Sequence, residues 1–170
     1  MFVTIVKLFN KIADQIGEEM TTQIYYHGTK VKNKQNIIDS RKLKQTDKEY
    51  NQSEDGFVYI CHERDFDQTI SYAMDSSTSS FTFIKIEIIV NSEVYNNLQY
   101  EEKESAIGTL KSYKYNGEID LRDKSIKSAK IITLKKFNKE YDTFLSLITT
   151  YPPKYDEAKS LLDRLDWKVL

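Results

Sequence analysis

The spacing of apolar residues predicts helices at both ends of the chain. Within residues 1–22, apolar side chains recur at intervals of four, three and four residues, the pattern of one face of an amphipathic helix: Ile5, Phe9, Ile12 and Ile16. Within residues 137–170, two such faces are separated by Pro152 and Pro153, which end a helix because proline lacks a backbone N–H. A helical hairpin anchored by Trp167 is therefore predicted, with faces Tyr141, Phe144, Leu145 and Ile148, then Ala158, Leu161, Leu162, Leu165 and Val169.

Segments rich in Val, Ile, Phe and Tyr predict strands in the middle of the chain. The strongest is residues 81–90, with the sequence FTFIKIEIIV. Shorter strands are predicted at residues 23–27, 57–61, 109–115 and 126–134. Strands in the centre and helices at the ends indicate an α+β fold, with a terminal helix at residues 1–22, a core at residues 23–136 and the hairpin at residues 137–170.

Two helices and a loop are predicted between these strands. One helix lies within residues 31–43. The other follows a charged turn at residues 62–67 and has the apolar face Phe66, Ile70, Ala73 and Met74. Residues 44–56 are predominantly polar and predict a long loop, a kind of segment that often serves as a functional lid.

Scarce residue types exclude several kinds of site. The 170 residues include five Gly, two Pro, two His and one Cys. Phosphate-binding loops of the dinucleotide and Walker types need clustered glycines, which this chain lacks. His27 lies far in sequence from Cys61 and His62, so a zinc site is excluded, and a single Cys excludes an internal disulfide. We therefore expect a function that needs no metal.

Charge and hydropathy restrict the expected surroundings. Twenty-five basic and 26 acidic residues leave a net charge of −1, so there is no overall attraction to nucleic acid or to anionic membranes. The apolar start is interrupted by Lys7 and lacks a small-residue cleavage site, and no apolar run is long enough to span a bilayer. We expect a cytoplasmic protein, in its own cell or in a host cell, without a membrane partner.

Several residues are candidates for chemistry. His27, Gly28 and Thr29 follow the first strand, where a glycine allows close approach to the main chain, although a lone His beside a turn more often has a structural role. Cys61 and His62 are neighbours on a strand, so they point to opposite faces and do not form a nucleophile–base pair. Acidic residues flank the strand at residues 109–115: Glu101, Glu102, Glu104, Glu118, Asp120 and Asp123. Such a cluster is usually solvated surface, but one carboxylate in a cleft could stabilise a cationic sugar transition state.

The order of three short motifs resembles that of ADP-ribosyltransferases of the His-Tyr-Glu branch, which includes the poly(ADP-ribose) polymerases. The motifs are Tyr26-His27-Gly28-Thr29, then Gly56-Phe57-Val58-Tyr59-Ile60, then Ser71-Tyr72-Ala73 at the end of a helix. The resemblance covers roughly residues 23–136. It implies a split β-sandwich core, with NAD+ bound as a substrate and no metal.

The resemblance also implies residue roles. His27 would hydrogen-bond the adenosine ribose, and the main chain of Gly28, beside Thr29, would hold the nicotinamide amide. Tyr59 would stack on the nicotinamide ring, and Tyr72 would belong to the same binding site. A Glu on the third strand would stabilise the cation that forms on the nicotinamide ribose.

The strand at residues 109–115, which stands where the family carries this Glu, departs from the family pattern. The matching stretch reads Ser112-Tyr113-Lys114-Tyr115-Asn116-Gly117-Glu118-Ile119, so Ser112 stands where the family has Glu. A serine hydrogen-bonds a ribose but supplies no negative charge. Glu118 is one candidate to replace the missing carboxylate, and the group Glu101, Glu102 and Glu104 is the other.

These residues predict a mono-ADP-ribosyltransferase of the toxin or phage-effector type, acting on a protein or nucleic-acid target. A cognate inhibitor or a host protein is a further candidate partner. The alternative is an inactive relative that binds NAD+, ADP-ribose or a protein partner through the same cleft. A third hypothesis is an interaction protein that uses the terminal helix and the hairpin. RNA 2′-phosphotransferases fit less well, because they use several Arg and none lies beside His27.

Overall fold

A mostly antiparallel β-sheet forms the centre of the molecule. The computed structural model describes residues 4, 5, 7, 20–45, 54–106 and 108–170. Within these residues the strands are β1 Thr22–Thr29, β2 Lys42–Leu43, β3 Phe57–His62, β4 Met74–Asp75, β5 Ser80–Ile89, β6 Gln99–Ser105, β7 Gly108–Asn116, β8 Ile119–Asp120, β9 Ile126–Lys135 and β10 Lys168–Val169. Eight of them form one sheet in the order β10-β9-β5-β1-β3-β7-β6, with β4 beside β5, and β2 pairs with β8 in a separate ribbon.

Short helices connect the strands, and two longer helices follow the sheet. The α-helices in the described part of the chain are α1 Lys34–Ser40, α2 Asp67–Ala73, α3 Glu93–Asn96, α4 Lys139–Thr149 and α5 Tyr155–Asp163. Short 3-10 turns, Val31–Asn33 and Glu63–Asp65, precede α1 and α2. Among these described helices, none is long and apolar enough to cross a membrane. Together with the sheet, they confirm the α+β class.

Alternation along the strands divides the core into two layers. Successive side chains point to opposite sides of a sheet. We call the side that bears Tyr25 the first face and the side that bears Tyr26 the second face. The first face packs against α1, α3 and the β2–β8 ribbon through Ile37, Val94, Leu43 and Ile119. The second face packs against α2, α4 and α5 through Phe66, Ile70, Ala73, Phe144, Ala158 and Leu162.

The carboxyl-terminal hairpin is part of the second core layer. Phe144 and Leu162 are fully buried, and Phe144 makes edge-to-face contacts with Phe81 and Phe83 of β5. Trp167 confirms its expected anchoring role, because its indole N–H donates to the Leu162 carbonyl at 2.8 Å and its ring packs near Tyr26. The hairpin therefore closes the hydrophobic core.

Polar contacts fix the end of α5 to the sheet. Asp163 Oδ1 accepts hydrogen bonds from the Tyr26 hydroxyl and from Lys85 Nζ, each at 3.1 Å. Asp163 Oδ2 accepts from Lys159 Nζ at 3.0 Å. Desolvation alone would raise the pKa of Asp163, but the hydrogen bonds from Lys159 and Lys85 outweigh it and lower that pKa.

Most predicted strands are confirmed, and several boundaries are corrected. The strands predicted at residues 57–61, 81–90, 109–115 and 126–134 correspond to β3, β5, β7 and β9. The first strand extends beyond His27 to Thr29 because all of Thr22–Thr29 pairs with β5. The helix predicted within residues 31–43 ends at Ser40, where Arg41 adopts a left-handed conformation, and Lys42–Leu43 pairs with β8.

Three further predictions need correction. Met74 is exposed and begins β4, because the chain leaves the helical conformation there. Leu165 and Val169 lie outside α5, and Val169 pairs with Lys130 of β9. Residues 99–105, which hold Glu101, Glu102 and Glu104, were not expected to be a strand, but they form β6.

Two predictions concern residues that lie mostly outside the described ranges. The helix predicted within residues 1–22 lies almost entirely outside the described residues. So does the centre of the loop at residues 44–56.

Candidate functional site

His27 lies where the pairing between β1 and β3 ends. β1 pairs with β5 along its whole length, but its pairs with β3 are Tyr25 with His62 and Tyr26 with Cys61. One residue beyond this ladder, the Nδ1 atom of His27 lies 2.8 Å from the carbonyl oxygen of Tyr59. The fold thus joins two of the residues that the motif order selected.

The contact with the Tyr59 carbonyl determines which nitrogen of the His27 ring carries the proton. A carbonyl oxygen only accepts hydrogen bonds, so Nδ1 must carry the proton and Nε2 is left as an acceptor. Burial lowers the pKa of His27, and the backbone hydrogen bond to Tyr59 opposes this only in part. Near neutral pH the ring is therefore uncharged, and Nε2 is suited to accept a hydrogen bond from a hydroxyl group.

Gly28 is required for the packing of α2 against β1. A Cβ atom at Gly28 would lie 2.5 Å from the Thr69 carbonyl oxygen and 2.6 Å from the Ala73 nitrogen, and it would be 3.0 Å from the Tyr72 carbonyl carbon. All three are backbone atoms, so no side-chain rotation relieves the overlap. The close approach anticipated at this glycine is thus made, on the Cβ side, by a helix of the same chain.

The neighbours of Gly28 are held in place by this packing. Thr29 is buried, and its hydroxyl accepts a hydrogen bond from Asn33 Nδ2 at 3.2 Å. Tyr72 is half-buried on α2, with its backbone against Gly28. The structure therefore brings Gly28, Thr29 and Tyr72 to the same end of β1 as His27.

The side chain of Tyr59 belongs to the second face. Tyr26 pairs with Cys61, and the same register two residues further on places Tyr59 opposite Gly28. Residues two apart on a strand share a face, so Tyr59 lies on the second face with Tyr26, whereas His27 lies on the first face with Tyr25. The ring is half-buried, and its hydroxyl accepts a hydrogen bond from the Glu54 backbone N–H at 3.0 Å. His27 thus approaches the main chain of Tyr59 while the Tyr59 ring faces the other side of the sheet.

The strand β7, which bears Ser112, lies directly beside Tyr59. In the β3–β7 ladder Tyr59 pairs with Lys114, and in the β6–β7 ladder Ser112 pairs with Glu101. Cross-strand partners share a face, so Tyr59, Ser112, Lys114 and Glu101 all lie on the second face. The structure thus places a carboxylate next to Ser112, and it comes from the neighbouring strand.

Four charged groups form a network on this face. Lys114 Nζ contacts Glu54 Oε1 at 2.8 Å and Glu101 Oε1 at 2.5 Å. Lys103 Nζ lies 3.2 Å from Glu101 Oε2 and 5.7 Å from the centre of the Tyr59 ring. Hydrogen bonds to Glu101 and Glu54 raise the pKa of Lys114. Burial would raise the pKa of Glu101, but the lysine contacts outweigh it and lower that pKa.

Glu118 is placed elsewhere. It follows the end of β7, is about half exposed, and its carboxylate pairs with Lys42 Nζ at 3.3 Å beside the β2–β8 ribbon. The structure therefore joins Glu118 to Lys42, and Ser112 has Glu101 as its cross-strand neighbour. The sequence held a signal for Glu101, because Glu101 and Lys103 are two residues apart and would share one side of a strand.

Cys61 and His62 do not form a reactive pair. Cys61 is buried, and burial raises the pKa of its thiol to about 12. The His62 Nδ1 atom accepts a hydrogen bond from the Arg64 backbone N–H at 3.2 Å and so caps the turn that follows β3. The burial of Cys61 and the capping contact of His62 both indicate structural roles.

Comparisons with protein-family models, with curated proteins and with solved structures find no significant match for this chain.

Proposed function

We propose that the chain is a mono-ADP-ribosyltransferase that uses NAD+ as a substrate and a protein or nucleic acid as the acceptor. One observation carries the proposal: His27 and Tyr59, selected by motif order, meet through a 2.8 Å contact at the end of the β1–β3 ladder. The strand β7, which bears Ser112, lies beside Tyr59. The proposal thus rests on a motif resemblance together with the adjacency of the strands β1, β3 and β7.

The residues present fit the chemistry of such a reaction. The neutral His27 ring offers Nε2 to a ribose hydroxyl on the first face, and the Tyr59 ring offers an aromatic face to a planar cation on the second face, so NAD+ would have to reach both sides of the sheet at the end of the β1–β3 ladder. The reaction breaks the C–N bond between nicotinamide and ribose C1′, and the electron pair leaves with nicotinamide. An oxygen or nitrogen of the acceptor then bonds to C1′ and releases its proton to water.

A second candidate is a relative that binds NAD+ or ADP-ribose without transferring it. Ser112 favours this candidate, because a serine at the family's Glu position provides no charge for the developing ribose cation. The two candidates differ in turnover and agree on binding.

Calorimetry with NAD+, combined with a nicotinamide-release assay and labelled transfer to candidate acceptors, tests both. We expect His27→Gln to weaken NAD+ binding by roughly tenfold, since one hydrogen bond to a buried partner is lost. His62→Gln is the matched control and should bind as the wild type does. Binding without nicotinamide release would favour the second candidate, and absence of both would refute the two together.

A further inference from the structure

The carboxylate of Glu101 is held rigidly beside Ser112. Its side chain is 16% exposed, and Lys114, which grips one oxygen, is only 11% exposed. Lys114 is in turn fixed by Glu54. Glu101 therefore has a defined position on the second face, in the row that also bears Tyr59 and Ser112.

The second oxygen of Glu101 is directed toward a cation. Oε2 is buried and, among the residues that the structure describes, has no hydrogen-bond partner of good geometry, although Lys103 Nζ lies 3.2 Å away. The same ammonium group stands over the Tyr59 ring at 5.7 Å from its centre. A positive charge thus occupies the space between a carboxylate oxygen and an aromatic face, the two groups that together attract a flat organic cation.

Lys103 is the more exposed of the two lysines that contact Glu101. Its side chain is 32% exposed, and it lies on β6, the last strand of the sheet. The Lys103 side chain can turn outward by rotation about its own bonds, which leaves the backbone pairing of β6 with β7 intact. Such a rotation would present both Oε2 and the Tyr59 ring to a ligand.

We infer that Glu101, on β6 next to the strand that bears Ser112, supplies the carboxylate that Ser112 lacks and faces the cationic ribose when the nicotinamide bond breaks. This inference rests on the proposed function. Lys103 holds the place of that cation between Tyr59 and Glu101, and Lys114 fixes the carboxylate. Glu118, which pairs with Lys42, has no part in the step.

The inference is tested by Glu101→Gln, which keeps the shape of the side chain and removes its charge. We expect kcat for nicotinamide release to fall ~100-fold, because a preorganised charge acts mainly in the transition state, while KM for NAD+ changes less than ~3-fold. Glu102→Gln is the matched control. Glu102 is exposed next to Glu101, accepts a hydrogen bond from Tyr100 at 2.6 Å and faces the opposite side, so its loss should leave both constants unchanged.

Rescue distinguishes a chemical role from a structural one. The double variant Glu101→Gln/Ser112→Glu moves the carboxylate to the paired position on β7 and should recover at least ~10-fold of the lost kcat. Glu101→Asp keeps the charge and both lysine partners, and it should retain more activity than Glu101→Gln even if the glutamine variant folds poorly.

The possible outcomes separate the two proposals. Wild-type turnover with an unimpaired Glu101→Gln would overturn the role of Glu101 and leave the proposed function standing. The second outcome is a fall in kcat that Ser112→Glu does not rescue, accompanied by a lower Tm of the Glu101→Gln variant. It would mark Glu101 as structural and would also overturn the inference. If the wild type binds NAD+ without releasing nicotinamide, the inference about Glu101 is overturned, because there is no bond-breaking step in which its carboxylate could act.

Discussion

Replacement of Gly28 by alanine is expected to destabilise the fold, because the added methyl group would enter the backbone of α2. The nearest atoms would be 2.5 and 2.6 Å away, so the helix must move by about 0.9 Å to restore a contact of 3.4 Å. Inserting a methyl group into a packed core costs about 1–3 kcal/mol. Alanine also restricts the unfolded chain, which returns about 0.4–1 kcal/mol. Taking the middle of each range, the expected net loss is about 1–2 kcal/mol.

Urea unfolding followed by fluorescence measures this loss directly. The single Trp of the chain, Trp167, packs 6.4 Å from Tyr26 of β1 and should report the separation of the hairpin from the sheet. In a chain of this length the loss corresponds to a decrease in Tm of roughly 2–8 °C. Hydrogen exchange should also show faster opening of α2 in Gly28→Ala than in the wild type.

Gly56→Ala is the matched control, because Gly56 is required for its positive φ angle and Gly28 is required for close packing. No atom of the described part of the chain lies within 4 Å of a Cβ at Gly56, but its φ of +80° is a conformation that alanine adopts with strain. We expect a loss of about 1 kcal/mol there without any change in α2 exchange. If Gly28→Ala were as stable as the wild type but no longer bound NAD+, the packing argument would be wrong and Gly28 would serve ligand approach alone.

Two other predictions concern the hairpin and the site histidine. Phe144→Ala should lower the free energy of unfolding by about 3–5 kcal/mol, since a fully buried ring is lost, whereas Phe137→Ala, which removes an 89% exposed ring, should be nearly neutral in the same urea assay. Burial lowers the pKa of His27, so the unfolded chain takes up a proton first as the pH falls below about 6.5, and wild-type stability should decrease from there toward the folded pKa. His27→Gln should flatten that pH dependence, and a profile equal to that of the wild type would contradict the assignment.

The sequence predicted those elements whose hydrophobic pattern is set by burial. β5 was readily identified because it lies in the middle of the sheet and carries apolar residues on both faces. The hairpin was identifiable because Pro152 and Pro153 separate two helical faces. By contrast, β6 has the sequence QYEEKES, and an edge strand that packs little apolar surface shows almost no hydrophobic signal.

The candidate site was predictable only within single strands. Motif order selected His27 and Tyr59, and strand alternation correctly separated Cys61 from His62. The link between Ser112 and Glu101 depends on how two strands align, and no local pattern specifies that alignment. Glu118 was a reasonable candidate in sequence because it follows β7 closely, yet the chain turns there toward the β2–β8 ribbon.

The alignment of β6 on β7 sets the charge that the Tyr59 ring experiences. In the observed alignment Glu101 and Lys103 face the ring, and their charges cancel. A slip of one residue would turn every side chain over and present Glu102 and Glu104 instead, which would place two uncompensated negative charges there. Tyr100 opposes such a slip, because its ring packs 5.1 Å from the Tyr113 ring on the other side of the sheet. An aromatic contact outside the site thus protects the electrostatic character of the site itself.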